Sequence, residues 1–205
     1  MTSGIEPRRA LIALIATLLL FSGVPAAAAE TRVPAPWDIE QLMRTLAQVK
    51  HAQGRFVERK HLAILDQPLE FSGTLVYTAP GRLVKTTLRP RPEIMTVDAD
   101  RLVIENPSRK QRRSLSMQEY PVVWAFVESI RSTLAGDLPT LNRFYRVTLE
   151  GSASQWRLQL LPREAAMQAV LREIRIGGAG NRVRTVEIFE TVGNRSEMTI
   201  TEDPA

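Results

Sequence analysis

From Gly54 onward the chain alternates, and no other feature limits its fold as strongly. Leu69, Phe71, Gly73, Leu75 and Tyr77 interleave with Glu70, Ser72, Thr74, Val76 and Thr78, the period-two pattern of a strand with one buried face. Turn formers interrupt the alternation: Asp66-Gln67-Pro68, Ala79-Pro80-Gly81, Arg91-Pro92-Glu93, Asp98-Ala99-Asp100 and Asn106-Pro107-Ser108. From Thr78 to Ser108 they recur at roughly the eight-to-twelve-residue spacing of a β meander. Strands are predicted at 56–60, 69–78, 82–89, 94–97, 102–105 and 110–117. They return at 145–150, 156–161, 170–176, 182–191 and 197–201. Ten or eleven antiparallel strands are thus expected.

Two helical blocks break this pattern. At 38–49, Asp38 is a candidate N-cap with Gln41 completing a capping box. Ile39, Leu42, Met43, Leu46 and Val49 fall on one face. The second block starts near Pro121, carries Val122, Val123, Phe126, Val127, Ile130 and Leu134 on one side, and ends at Gly136. A short helical turn from Asp137 to Phe144 follows. The expected class is α+β, mostly β: a strongly curved antiparallel sheet or incomplete β-barrel with helices on its concave side.

Ahead of this domain, Arg8-Arg9 precede an apolar run from Ala10 to Phe21, then Pro25 and Ala26-Ala27-Ala28-Ala29. That is the order of a secretory signal peptide. About twenty apolar residues are needed to span a bilayer, and this run is shorter. The expected organisation is a signal peptide at 1–29, cut after Ala29, a linker at 30–37 and one domain at 38–205. The expected compartment is the periplasm.

Composition narrows the chemistry. Cysteine is absent, which excludes disulfides, a thiol nucleophile and a thiolate metal site. The formal charge is +5, and lysine occurs only at 50, 60, 85 and 110. With no aromatic–basic motif, nucleic acid is not an expected partner. The cluster Arg109, Lys110, Arg112, Arg113 reads as a solvated edge, or as a contact for an anionic headgroup or acidic partner.

A hydrolytic triad would need His51 or His61, the only histidines, as its base, and neither has specific surroundings. No metal-ligand spacing is present. Glu58 and Glu70 fall on adjacent strands and read as surface charge. Gly177-Gly178-Ala179-Gly180 leads into a strand pattern, which makes it a hairpin rather than a phosphate loop. The expectation is a binding protein, not an enzyme, with no cofactor, metal or catalytic residue. Periodicity leaves open whether the apolar sheet and helix faces form a filled core or a lidded cavity.

The order of these segments resembles the LolA family of periplasmic carriers for outer-membrane lipoproteins. The stretch from Val49 to Glu58, with Phe56, is similar to that family's opening helix-to-strand passage. Residues 71–83, with Gly73, Leu75, Pro80 and Leu83, resemble its G-x-L…P segment, and 93–107 its strand–turn–strand. The resemblance implies an incomplete barrel lidded by helices, whose apolar cavity takes acyl chains. Cargo would be a lipoprotein, glycolipid or similar molecule, received from an inner-membrane transporter and handed to an outer-membrane acceptor. Expected acyl contacts are Leu75, Tyr77, Leu83, Met95, Val97, Leu102, Ile104, Val123, Phe126, Val127 and Ile130. A monomer with transient membrane-surface contact is implied. An envelope sensor of the same fold, binding lipid or lipoprotein and a membrane partner, is the alternative. Two positions depart from the family pattern. Ala79 stands where the well-studied carriers have an Arg that bonds to the helical lid, and Leu83 where they have an aromatic. The lid lock is expected to be missing.

Overall fold

The computed structural model describes residues 37–202, in which eleven strands form one antiparallel sheet. The signal peptide, its cleavage site and most of the linker lie outside the described residues. Helix α1 (Ile39–Leu46) leads into β1 (His51–His61), β2 (Leu69–Thr78), β3 (Arg82–Arg89), β4 (Glu93–Asp98), β5 (Arg101–Asn106) and β6 (Gln111–Ser116). Helices α2 (Pro121–Ala135) and α3 (Leu138–Phe144) follow. The chain returns through β7 (Tyr145–Ser152), β8 (Gln155–Pro162), α4 (Ala165–Gln168), β9 (Leu171–Ala179), β10 (Arg182–Glu190) and β11 (Arg195–Glu202). The strand order is β6-β5-β4-β3-β2-β1-β11-β10-β9-β8-β7. Each half is a meander of neighbours, and the two halves join where β1 pairs with β11. The sheet is curved and does not close, leaving β6 and β7 as edges.

Directly opposed residues in antiparallel strands share a face, so the register carries single rows across the sheet. One runs Leu115, Leu102, Val97, Leu83, Tyr77. Another runs Phe71, Glu58, Met198, Val186, Ile176, Leu158, Leu149. These rows form the inner face on which the helices lie. Under α1, α2 and α3 the core holds Leu42, Leu46, Leu141, Tyr145, Trp156, Leu158 and Ile174. A second cluster joins Val97, Leu102 and Met117 to Val127 of α2. Trp124 and Phe126 of α2 pack against both clusters, so the sheet wraps around this helix.

Element boundaries depart from the sequence reading in instructive ways. The first helix ends at Leu46, short of the expected 49, and β1 opens at His51, ahead of the expected 56. His51-Ala52-Gln53-Gly54-Arg55 has no apolar alternation, and this stretch is extended because Thr78 through Thr74 of β2 pair with it. Asp38 does cap α1, accepting from the Gln41 N–H at 2.8 Å. The reciprocal half of the capping box is absent, since the Gln41 side chain accepts from Arg44.

The glycine run near 178 has a packing cause as well as a turn cause. Gly180, at φ +55, turns the hairpin. A Cβ at Gly178 would lie 2.4 Å from the Trp156 ring, which is seated on that glycine and donates Nε1–H to the Gly180 carbonyl at 2.9 Å. A side chain at 178 must displace a buried indole. Gly178→Val is expected to destabilise the protein by about 2 kcal/mol or more, read as a lower urea midpoint; an unchanged midpoint would refute this packing.

Candidate ligand-binding face

The sheet-borne residues expected to meet an acyl chain share one face. Leu83 pairs with both Tyr77 and Val97, Val97 with Leu102, and Met95 with Ile104, while Leu75 lies in the adjoining row beside Lys85. Tyr77, Val97, Leu102 and Val127 are buried, whereas Leu75, Leu83, Met95, Ile104, Val123, Phe126 and Ile130 are half-buried. The structure gathers Leu83, Met95, Val97, Leu102 and Ile104 from β3–β5 with Val123, Phe126 and Val127 of α2, whereas Ile130 packs against the other core cluster and Leu75 and Tyr77 lie in neither. Two surface hollows lie elsewhere, one on the outer side of β1 and β11 and one beside α4.

Helix α2 does not bury the side that its sequence suggests. Its most buried residues are Ala125, Val127, Glu128, Ser129, Ser132 and Thr133, while Val122, Val123, Phe126, Ile130 and Leu134 are only half-buried. Small residues allow close approach of the neighbouring elements. The Tyr145 hydroxyl donates to the Ala125 carbonyl at 3.0 Å, and a Cβ at Gly136, the C-cap, would lie 2.2 Å from the Met43 carbonyl of α1. The buried hydroxyls return their bonds to the helix, Ser129 to the Phe126 carbonyl and Thr133 to the Ser129 carbonyl, so no polar cost is left standing. The bulky apolar residues are consequently left less covered.

A lock on α2 exists, contrary to the expectation from Ala79, but it issues from the helix. Arg131 donates to the Ala99 carbonyl in the β4–β5 turn at 2.5 Å. Its aliphatic stem lies against Gly81 in the β2–β3 turn, where a Cβ would come within 2.7 Å of Cδ. The guanidinium also pairs with buried Glu128, which further accepts from Trp124 Nε1 and the Ser132 hydroxyl. The sequence reading missed Arg131 because its two turn contacts come from residues 32 and 50 positions away. Breaking a buried pair leaves an uncompensated charge. Arg131→Ala is therefore expected to cost about 3 kcal/mol and to raise amide hydrogen exchange in α2 and the β4–β5 turn. Exchange unchanged in both would show that Arg131 fastens nothing.

Glu58 is the second correction. It is 3 % exposed, not a surface charge, and it does not face Glu70. Glu58 pairs in register with Phe71, while Glu70 pairs with Arg59 on the other face. On the inner face Glu58 accepts from Lys85 Nζ at 2.5 Å and the Ser196 hydroxyl at 2.6 Å, with Lys60 Nζ at 3.5 Å. Burial alone would push its pKa up; Lys85, Ser196 and Lys60 together outweigh that and hold it below 4.5. A carboxylate depressed on folding stabilises fully above its unfolded pKa and loses that contribution as pH falls through the folded value. The stability gap between wild type and Glu58→Gln should therefore be widest at neutral pH and narrow below about pH 4.5. Urea titrations at pH 7 and pH 3.5 measure it, and a gap independent of pH would contradict it.

The histidines do not share a site. They stand at the two ends of β1, about 33 Å apart by strand rise. His51 Nδ1 is 3.4 Å from the Thr78 hydroxyl, and His61 Nε2 is 3.8 Å from a Glu197 carboxylate oxygen. Among the described residues no three His, Asp or Glu side chains are grouped to hold a metal.

The sequence profile of the family described as "Outer membrane lipoprotein carrier protein LolA-like" matches residues 27–201. The chain belongs to this LolA-like family. Comparison with characterised protein sequences gives no significant match. Among solved structures, a LolA superfamily protein from Nitrosomonas europaea is similar, at 10 % identity and TM-score 0.40, over 81 % of this chain and 92 % of that one. A DUF1329 family protein from Desulfovibrio piger aligns at 11 % identity and TM-score 0.43, covering 80 % and 89 %. A chain of the MucA/MucB complex of Pseudomonas aeruginosa aligns at 15 % identity and TM-score 0.46, covering 82 % and 59 %. The family assignment rests on the profile, and the LolA-like fold is the curved, unclosed sheet described above.

Proposed function

We propose that this LolA-like protein is an exported, non-enzymatic carrier. It binds the acyl chains of a lipoprotein or another lipid-like molecule on its inner face and moves them from inner to outer membrane across the periplasm. The observation that carries this reading is the set of half-buried apolar side chains on the two surfaces that meet at α2: Leu83, Met95 and Ile104 from the sheet, Val123 and Phe126 from the helix. Apolar surface left partly in water gains about 0.8 kcal/mol for each methylene it helps to bury, so an acyl chain lying there is stabilised along its length. Release requires the same surface to close again, and α2, held at its far end by Arg131, is the element that closes it. Membership in a lipoprotein-carrier family supports the cargo class. The order of charged, apolar and small residues at 1–29 supports export.

The test is displacement of a fluorescent fatty acid from the purified mature protein. Saturable binding is expected at micromolar probe. Met95→Glu, which places a charge in the half-buried strip, should weaken it by about tenfold or more, measured below the variant's own thermal midpoint. Absence of saturable binding, or equal binding by the Glu variant, would overturn the acyl site.

A further inference from the structure

The inner face carries a charged cluster beside its apolar rows, and neither the core clusters nor the Arg131 contacts use it. Glu58 interrupts the row Phe71, Met198, Val186, Ile176, Leu158. Lysine is rare in this chain, occurring at four positions, yet two of the four converge on this carboxylate. Lys85 reaches it from β3. Both residues flank the register pair of Phe56 and Gly73, and the absent side chain at Gly73 leaves the path open. Its ammonium lies 4.8 Å from the Phe56 ring centroid, and that of Lys60 lies 5.1 Å from the Phe71 ring.

The charge does not balance. One buried carboxylate faces two ammoniums, and its oxygens already accept from Lys85 and Ser196. Each ammonium carries three donors. Lys85 places one on Glu58, and Lys60 stands beyond hydrogen-bond range at 3.5 Å. The side chains of Lys85 and Lys60 are 24 % and 42 % exposed, so the spare donors reach solvent. Glu93 shares this face opposite Thr87, two positions beyond Met95, the partner of Lys85; it forms no ion pair among those found with either lysine.

The half-buried apolar strip adjoins the cluster through direct pairing, Leu75 to Lys85 and Lys85 to Met95. A surplus cation beside an apolar strip complements an amphiphile with an anionic head, its tail on the strip and its head taken by charge-assisted hydrogen bonds. We infer that Lys60 and Lys85, preset by Glu58, form a headgroup subsite for an anionic amphiphile on the inner face. This rests on the acyl-binding reading and adds to it the charge of the cargo's head.

The experiment is competition against a fluorescent acyl probe on the mature protein, using dodecanoate, dodecyl phosphate and uncharged dodecanol. Both anions should compete about tenfold better than dodecanol. In Lys60→Met that ratio should fall toward one. In the double variant Glu58→Gln, Lys85→Met, which removes both members of the pair and so leaves no lone buried charge, it should fall likewise. Equal competition by all three in the wild type would overturn the subsite while leaving acyl binding intact, as would a ratio unchanged in both variants. Competition by acetate or inorganic phosphate at the same concentrations would also overturn it, as a site for small anions alone. No competition by any amphiphile would instead remove the acyl-binding reading on which it rests.

Discussion

The pairing of β1 with β11 is the constraint on which the rest depends. Every other strand contact in the sheet joins chain neighbours, and such hairpins form locally with little loop-closure cost. The seam brings 54–61 against 195–202, across nearly the whole described chain. Without it there are two separate meanders. With it, the apolar rows of both halves become continuous, and Trp124 and Phe126 of α2 can touch both at once. The side-chain bond from Ser196 to Glu58 crosses this seam, so this buried carboxylate gains its second hydrogen bond only when the sheet is joined.

Helix α2 carries two incompatible demands, and its sequence divides them. The side that meets α1, α3 and β7 needs close approach, and small or hydroxyl-bearing residues supply it while returning their hydrogen bonds to the helix. The side toward the curved sheet is bulky and apolar but less covered. Arg131 ties one end of α2 to two hairpin turns. In this protein the fastening comes from the helix to the sheet, and that direction is consistent with Ala79 occupying the turn.

Much of the architecture was legible in the residues. Alternation and turn chemistry marked the strands, and Asp38, Pro121 and Gly136 marked helix ends, because these effects act over a few residues. The apolar strip was legible too, since period two assigns Leu75 and Tyr77 or Met95 and Val97 to a common side. Three features were not. The start of β1 lacks an alternating pattern and is extended by its partners. Glu58 reads as surface charge until β3 and β11 bring Lys85 and Ser196 beside it. Arg131 reads as an ordinary exposed cation until the sheet curves its turns toward α2.

The sequence by itself determined the class of the fold and which faces are apolar, because both follow from periodicity and local backbone preference. Only the tertiary structure decided where the charges of the inner face meet, which side of α2 is most deeply buried, and what holds that helix. Those depend on contacts between residues 20 to 138 positions apart, whose energies exist only once the sheet has joined and curved.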